Sequence, residues 1–209
     1  VVIALAVIGP GQGGGIEARE ARGEIGCREA GAAMVHIHVR TADGKPSQDA
    51  ELFRAAIRAI RKKCDILVQV STGGAVGMTV DQRCGPLTLT GPDRPDMATL
   101  STGTVNFGPD VFWNPRPLIR DIATRIKNLG LKPEIECFDV GMIDEARALE
   151  KEGFITLPAH FDFVLGVGGA LAASVEALDF MRSYIPPQST WTCAAMGRHQ
   201  LPFVELSAA

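Results

Sequence analysis

His36 and His38 flank a single isoleucine. On a strand, residues two apart point the same way, so both imidazoles can reach one metal ion. The alternative is a pair of interior histidines bonded to neighbours. Glu134 and Glu136 repeat that spacing. Inward carboxylates need a cation, a hydrogen-bond network or a raised pKa. They therefore suit a base, a substrate anchor or an outer support for a metal, or else an ion pair with an inward Arg40. Ser71-Thr72-Gly73-Gly74 offers hydroxyls and exposed amides that could cradle a carboxylate, or could form a plain polar turn. Ser101-Thr102-Gly103-Thr104 repeats the pattern. Gly166-Val167-Gly168-Gly169 could hold a phosphate on backbone amides before a helix. The Gly11–Gly15 run is read as a mobile loop, and Arg198 with His199 as an anion contact or a solvated loop.

The elements that must position these residues alternate between short apolar segments and amphipathic ones. Strands are expected over Val1–Val7, Met34–Arg40, Asp65–Ser71, Met97–Thr102, Lys132–Asp139, Phe161–Val167 and Thr190–Ala195. Helices are expected over Ile16–Ala30, Asp49–Lys63 with Ser47 as its N-cap, Thr79–Gly85, Pro115–Leu129, Ile143–Lys151, Ser174–Tyr184 and from Phe203 onward. Strands separated by helices imply parallel pairing. Val35, Ile37 and Val39 share one face of their strand, and His36, His38 and Arg40 the other; Val68 and Val70 likewise oppose Gln69 and Ser71. A doubly wound sheet should be apolar on both faces. One apolar and one polar face, the latter richer toward the strand ends, fits a (β/α)8 TIM barrel with its site at the C-terminal mouth. Such barrels need about 250 residues. The expectation is one barrel domain over residues 1–209 whose eighth strand is missing from the sequence.

The chain has 209 residues, 46% hydrophobic and 22% charged, with 23 Gly and 13 Pro. This composition excludes disorder and a long coiled coil. A net charge of −3 with no basic run beyond Arg61-Lys62-Lys63 argues against a nucleic-acid partner. Val1–Ile8 is too short to span a bilayer and lacks a basic leader, so neither a membrane anchor nor a signal peptide is expected. Five cysteines without CxxC spacing fit a reducing cytoplasm.

Several strings together resemble the β-keto acid cleavage enzymes, the family that includes 3-keto-5-aminohexanoate cleavage enzyme. They are Glu29–Arg40 (EAGAAMVHIHVR), Val68–Gly74 (VQVSTGG), Asp96–Gly108 (DMATLSTGTVNFG), Lys132–Asp139 (KPEIECFD), Phe163–Gly169 (FVLGVGG) and Gly197–Gln200 (GRHQ). The resemblance implies a zinc-dependent barrel, usually a homotetramer. Its reaction exchanges a β-keto acid with acetyl-CoA, giving acetoacetate and a new acyl-CoA. It implies zinc ligation by His36 and His38, and keto-acid binding by Ser71 and Thr104, with Thr102 the alternative and Gly74 and Glu134 nearby. It implies a catalytic Glu136, with Gly168, Gly169 and Arg198 toward the CoA. The family's third zinc ligand, a glutamate on the eighth strand, lies with a catalytic aspartate and an arginine beyond Ala209. The glutamate that some relatives carry after the first strand falls where this chain has Gly9-Pro10-Gly11-Gln12. A metal-dependent hydrolase using zinc-bound hydroxide and a non-catalytic ligand-binding barrel are the competing readings.

Overall fold

Met34–Arg40 forms a strand because its β-branched residues alternate with polar ones, and only an extended chain puts Val35, Ile37 and Val39 together on a buried face. It is the second strand of a computed structural model that describes residues 4–8, 28–29 and 31–208. The helix expected over Ile16–Ala30 lies, apart from Arg28 and Glu29, outside the described residues, as do Gly9–Gln12, the Gly11–Gly15 loop and Cys27. The seven expected strands all occur among the described residues, and the connections between most of them are helical, so the architecture is mixed α/β with parallel pairing.

The chain divides into two compact units. The first comprises Val2–Thr99 with Asn128–Lys132. Its strands are β1 (Ala4–Ile8), β2 (Met34–Arg40), β4 (Leu67–Val70) and β5 (Met97–Ser101), paired in parallel in that order, with the two-residue β3 (Pro46–Ser47) antiparallel to β2. The register sets His36 beside Gln69. Helix α1 (Ala50–Arg61) buries Phe53, Ala56, Ile57 and Ile60, one stripe at helical spacing. Its N-cap is Asp49, whose carboxylate accepts from Glu51 N at 2.8 Å. The expected cap, Ser47, is instead held in β3, and its hydroxyl accepts from Asp49 N at 3.1 Å. Helix α2 (Val80–Arg83) begins at a Thr79–Gln82 capping box.

The second unit takes Leu100–Lys127 and Pro133–Ala209, including the last two residues of β5. Here β8 (Lys132–Cys137, from Pro133 onward), β9 (His160–Leu165) and β10 (Thr190–Ala195) pair in parallel. An antiparallel hairpin, β6 (Val105–Phe107) with β7 (Asp110–Phe112), was not expected from the sequence. Its turn has Gly108 at φ +63°, a conformation glycine adopts without strain. Helices α3 (Arg116–Asn128), α4 (Val140–Lys151), α5 (Val175–Tyr184) and α6 (Gln200–Ala208) complete it. Helix α4 starts three residues before the expected Ile143, because the Asp139 carboxylate caps it through Gly141 N. Phe161, Phe163 and Leu165 form one fully buried face of β9; His160 and Asp162, also buried, lie on the other. No helix among the described residues is long and apolar enough to cross a membrane.

Candidate active site

Each unit carries a cluster of polar side chains on strands or just after them. In the first unit, alternation on β2 brings His36 Nε2 and His38 Nε2 to 2.9 Å of each other, with ring centroids 4.7 Å apart. The other nitrogen of His36, Nδ1, lies 2.5 Å from Gln69 Oε1. An amide oxygen only accepts, so this contact puts the His36 proton on Nδ1 and a lone pair on Nε2. Burial, then the neighbouring His36 and Arg40, pushes His38 down to about 3. It is therefore a neutral imidazole, the form that ligates metals. Two convergent imidazole nitrogens fit a zinc ion in part. Among the described residues no group of three or more His, Cys, Asp or Glu could complete the ligand set, and zinc takes three or four protein ligands.

Beyond β4, the Ser71–Gly74 turn is pinned from beneath. Gln48 Nε2 donates to Ser71 O at 2.8 Å and Arg83 Nε to Thr72 O at 2.7 Å, while Thr72 donates twice to Thr99, from N to Oγ1 at 3.0 Å and from Oγ1 to O at 2.8 Å. Ser71 Oγ accepts from Gly73 N at 3.0 Å, leaving the hydroxyl hydrogen to donate to a ligand. Gly74 sits at φ +66°, and a Cβ there would meet Met78 Sδ at 2.9 Å. Arg40 donates to Gly44 O at 3.1 Å, which accounts for its guanidinium without a glutamate partner.

In the second unit the Ser101 hydroxyl donates to Glu136 Oε2. Thr102 is absorbed into the backbone: its N and Oγ1 both donate to Glu136 O, at 3.2 and 3.3 Å. Thr104 is exposed, with Oγ1 accepting from Asn114 N at 2.8 Å. Glu134 is buried; its Oε2 lies 3.1 Å from His160 Nε2, too poorly aligned for a hydrogen bond. His160 Nδ1 in turn contacts Thr190 Oγ1 at 2.8 Å. Asp162, the Cα partner of Glu136 across the β8–β9 pair, accepts from Thr192 Oγ1 at 2.9 Å. Burial, then the charges of Glu134 and Glu136, holds Asp162 well above the usual carboxylate range, which favours its protonated form. Burial also raises the Cys137 thiol and pushes Cys193 up to about 12, so neither is a thiolate nucleophile.

The glycine turn does not open directly into a helix, as the sequence led us to expect. Ala170 N donates to Val167 O, closing the turn on itself, and α5 begins only at Val175 with Ser174 as its cap. Gly169, at φ +92°, is where a Cβ would lie 2.5 Å from Asn106 Cβ on the hairpin, while Gly168 faces open space. Arg198 is exposed in the Gly197–His199 turn. The structure therefore brings His36 and His38 together and adds Gln69 to them. It joins Ser101 to Glu136 and builds a buried layer from Glu134, His160 and Asp162. Gln69, His160 and Asp162 were given no role from the sequence, and Ser101 only that of one hydroxyl in the 101–104 string. Their signal was a polar residue at the inward parity of an otherwise apolar strand.

Comparison with known proteins bears on what these clusters serve. The chain is 51% identical over 181 residues to a 3-keto-5-aminohexanoate cleavage enzyme of Fusobacterium nucleatum, a match covering 86% of this chain and 64% of that protein. It is 42% identical over 183 residues to a 3-oxoadipate:acetyl-CoA acetyltransferase of Cupriavidus necator, covering 86% and 63%. The chain thus spans slightly less than two thirds of the length of these relatives. Among solved structures it superposes on apo ObcA with a TM-score of 0.66 at 18% identity, over 92% of this chain and 51% of that one, a likeness of fold. A family model described as beta-keto acid cleavage enzyme matches residues 18–209, nearly the whole length, and with these relatives it establishes that the chain belongs to the beta-keto acid cleavage enzyme family.

Proposed function

We propose that this protein is an acyltransferase that exchanges a β-keto acid with acetyl-CoA, giving acetoacetate and a new acyl-CoA, on a (β/α)8 barrel. The observation that carries the reading is the convergence of two histidine nitrogens in a chain of this family. The names of two relatives supply the substrate class, a keto acid with acetyl-CoA as co-substrate. His36 and His38 would hold zinc, which supplies a Lewis acid for the keto carbonyl. Ser71 donates its hydroxyl hydrogen to the keto acid, the Gly74 amide faces its carboxylate, and Thr104 adds a second hydroxyl. Glu136, steadied by Ser101, removes the proton between the two carbonyls. The carbanion attacks the acetyl thioester and releases CoA thiolate. The thiolate adds to the keto carbon of the original acid, cleavage of the C–C bond gives the new acyl-CoA and the acetoacetate carbanion, and Glu136 returns its proton to that carbon. Glu134 positions the acid, while the amides of Gly168 and Gly169 and the Arg198 guanidinium meet the CoA phosphates. The family resemblance further points to a cytoplasmic homotetramer.

The test is to supply 3-keto-5-aminohexanoate or 3-oxoadipate with acetyl-CoA and follow acetoacetate. Product that requires acetyl-CoA supports the reading, and keto-acid loss without acetyl-CoA replaces it with a hydrolase. Metal content of His38→Ala is the companion measurement: one zinc retained per chain would remove His36 and His38 as joint ligands.

A further inference from the structure

We infer that Gln69 is a positioning residue for the histidine pair, setting the tautomer of His36 so that its Nε2 lone pair faces the position shared with His38. The inference rests on the zinc reading proposed above. It starts from strand register. His36 and Gln69 are Cα partners across the parallel β2–β4 pair, so their side chains leave the sheet on the same face. Gln69 is fully buried, with Oε1 2.5 Å from His36 Nδ1. Its Nε2 has no hydrogen-bond partner among the described residues.

A neutral imidazole carries one proton on one of two nitrogens. Free histidine prefers Nε2–H, the form that cannot ligate through Nε2. A strand has no built-in remedy, because the β2 backbone bonds run in the sheet plane, away from the ring. An acceptor at Nδ1 is required, and it must come from a neighbouring strand. Gln69 supplies one without adding charge beside a second neutral ring.

The amide and the ring are coupled. Were Gln69 reversed, its Nε2 would donate to a bare Nδ1, and the His36 proton would move to Nε2 and point at His38. A cation between the two Nε2 atoms tolerates only the first arrangement. The buried amide hydrogens left without a partner carry a desolvation cost that an apolar side chain at position 69 would not incur. That cost is consistent with a residue retained for its oxygen.

The experiment reads the tautomer directly. Imidazole 15N–1H correlation spectra of the metal-free protein would be recorded for the wild type, Gln69→Leu and Gln69→Glu. Zinc affinity would be measured on the same samples by competition with a chromophoric chelator. The expected result is His36 as Nδ1–H in the wild type and in Gln69→Glu, which keeps an acceptor. Gln69→Leu should move His36 toward Nε2–H and bind zinc about 10–100-fold more weakly. A wild-type His36 already in the Nε2–H form overturns the inference, and this holds even if a variant fails to fold. So does a Gln69→Leu protein with unchanged tautomer and unchanged zinc affinity. The expected tautomers with no zinc bound by any of the three proteins overturn the zinc reading and leave the Gln69–His36 pairing standing.

Discussion

Glu136 accepts a hydrogen bond from the Ser101 hydroxyl of its own unit, which directs one carboxylate oxygen. Next to it Asp162 is driven toward its neutral form by burial first, then by the charges of Glu134 and Glu136. With Asp162 favouring its protonated form, Glu136 is the carboxylate assigned the role of base. Glu136→Gln is expected to lower acetoacetate formation by about 10²–10⁴-fold while leaving zinc content unchanged. Loss of zinc in that variant would make Glu136 part of the metal site instead. At this scale the sequence was partly legible. His36, His38, Ser71 and Glu136 stand out by spacing and motif. Gln69, Ser101 and Asp162 are single polar residues whose meaning depends on the neighbouring strand.

Helix α1 and the turn Gly91–Asp93 are joined by a carboxylate rather than by apolar packing alone. Asp93 is 3% exposed; Arg58 Nε and Nη2 donate to it at 2.7 and 2.8 Å, and Arg54 Nη1 at 2.7 Å. These guanidinium bonds, those of Arg58 first, hold Asp93 at about 2, below its ordinary 3.8. A carboxylate depressed on folding stabilises the native state above its unfolded value, and that stability is lost as pH falls through the folded value. Acid unfolding between about pH 4 and 2 should therefore be steeper in the wild type than in Asp93→Asn, measured by circular dichroism. Identical acid limbs would show that the pair contributes nothing. Where the chain passes α2, a Cβ on Gly85 would lie 2.1 Å from the Gln48 backbone carbonyl. Gly85→Ala should cost about 1–3 kcal/mol in urea unfolding, and an unchanged midpoint would sink that packing argument. Helix and strand existence was readable from periodicity. The cap at Asp49, the early start of α4 and the 105–112 hairpin were not, because each is decided by a side chain or turn that outcompetes the local pattern.

As a whole molecule, the chain has a small net charge, −3, and exposed apolar residues in its second unit, among them Trp113, Phe180 and Leu201. If the proposed homotetramer forms, light scattering coupled to size exclusion will give four times the chain mass; a monomer at micromolar concentration would refute it. The sequence by itself determined the order of strands and helices, since alternation and helical spacing are local properties of neighbouring residues. It also carried the family, through six short strings spread along the chain, and with the family an expected chemistry. Only the tertiary structure decided which polar group meets which. Gln69 faces His36 across 33 residues, Ser101 faces Glu136 across 35, and Thr192 faces Asp162 across 30. Such pairs are set by the register of separate strands, and a shift of one residue would turn every one of these side chains to the opposite face.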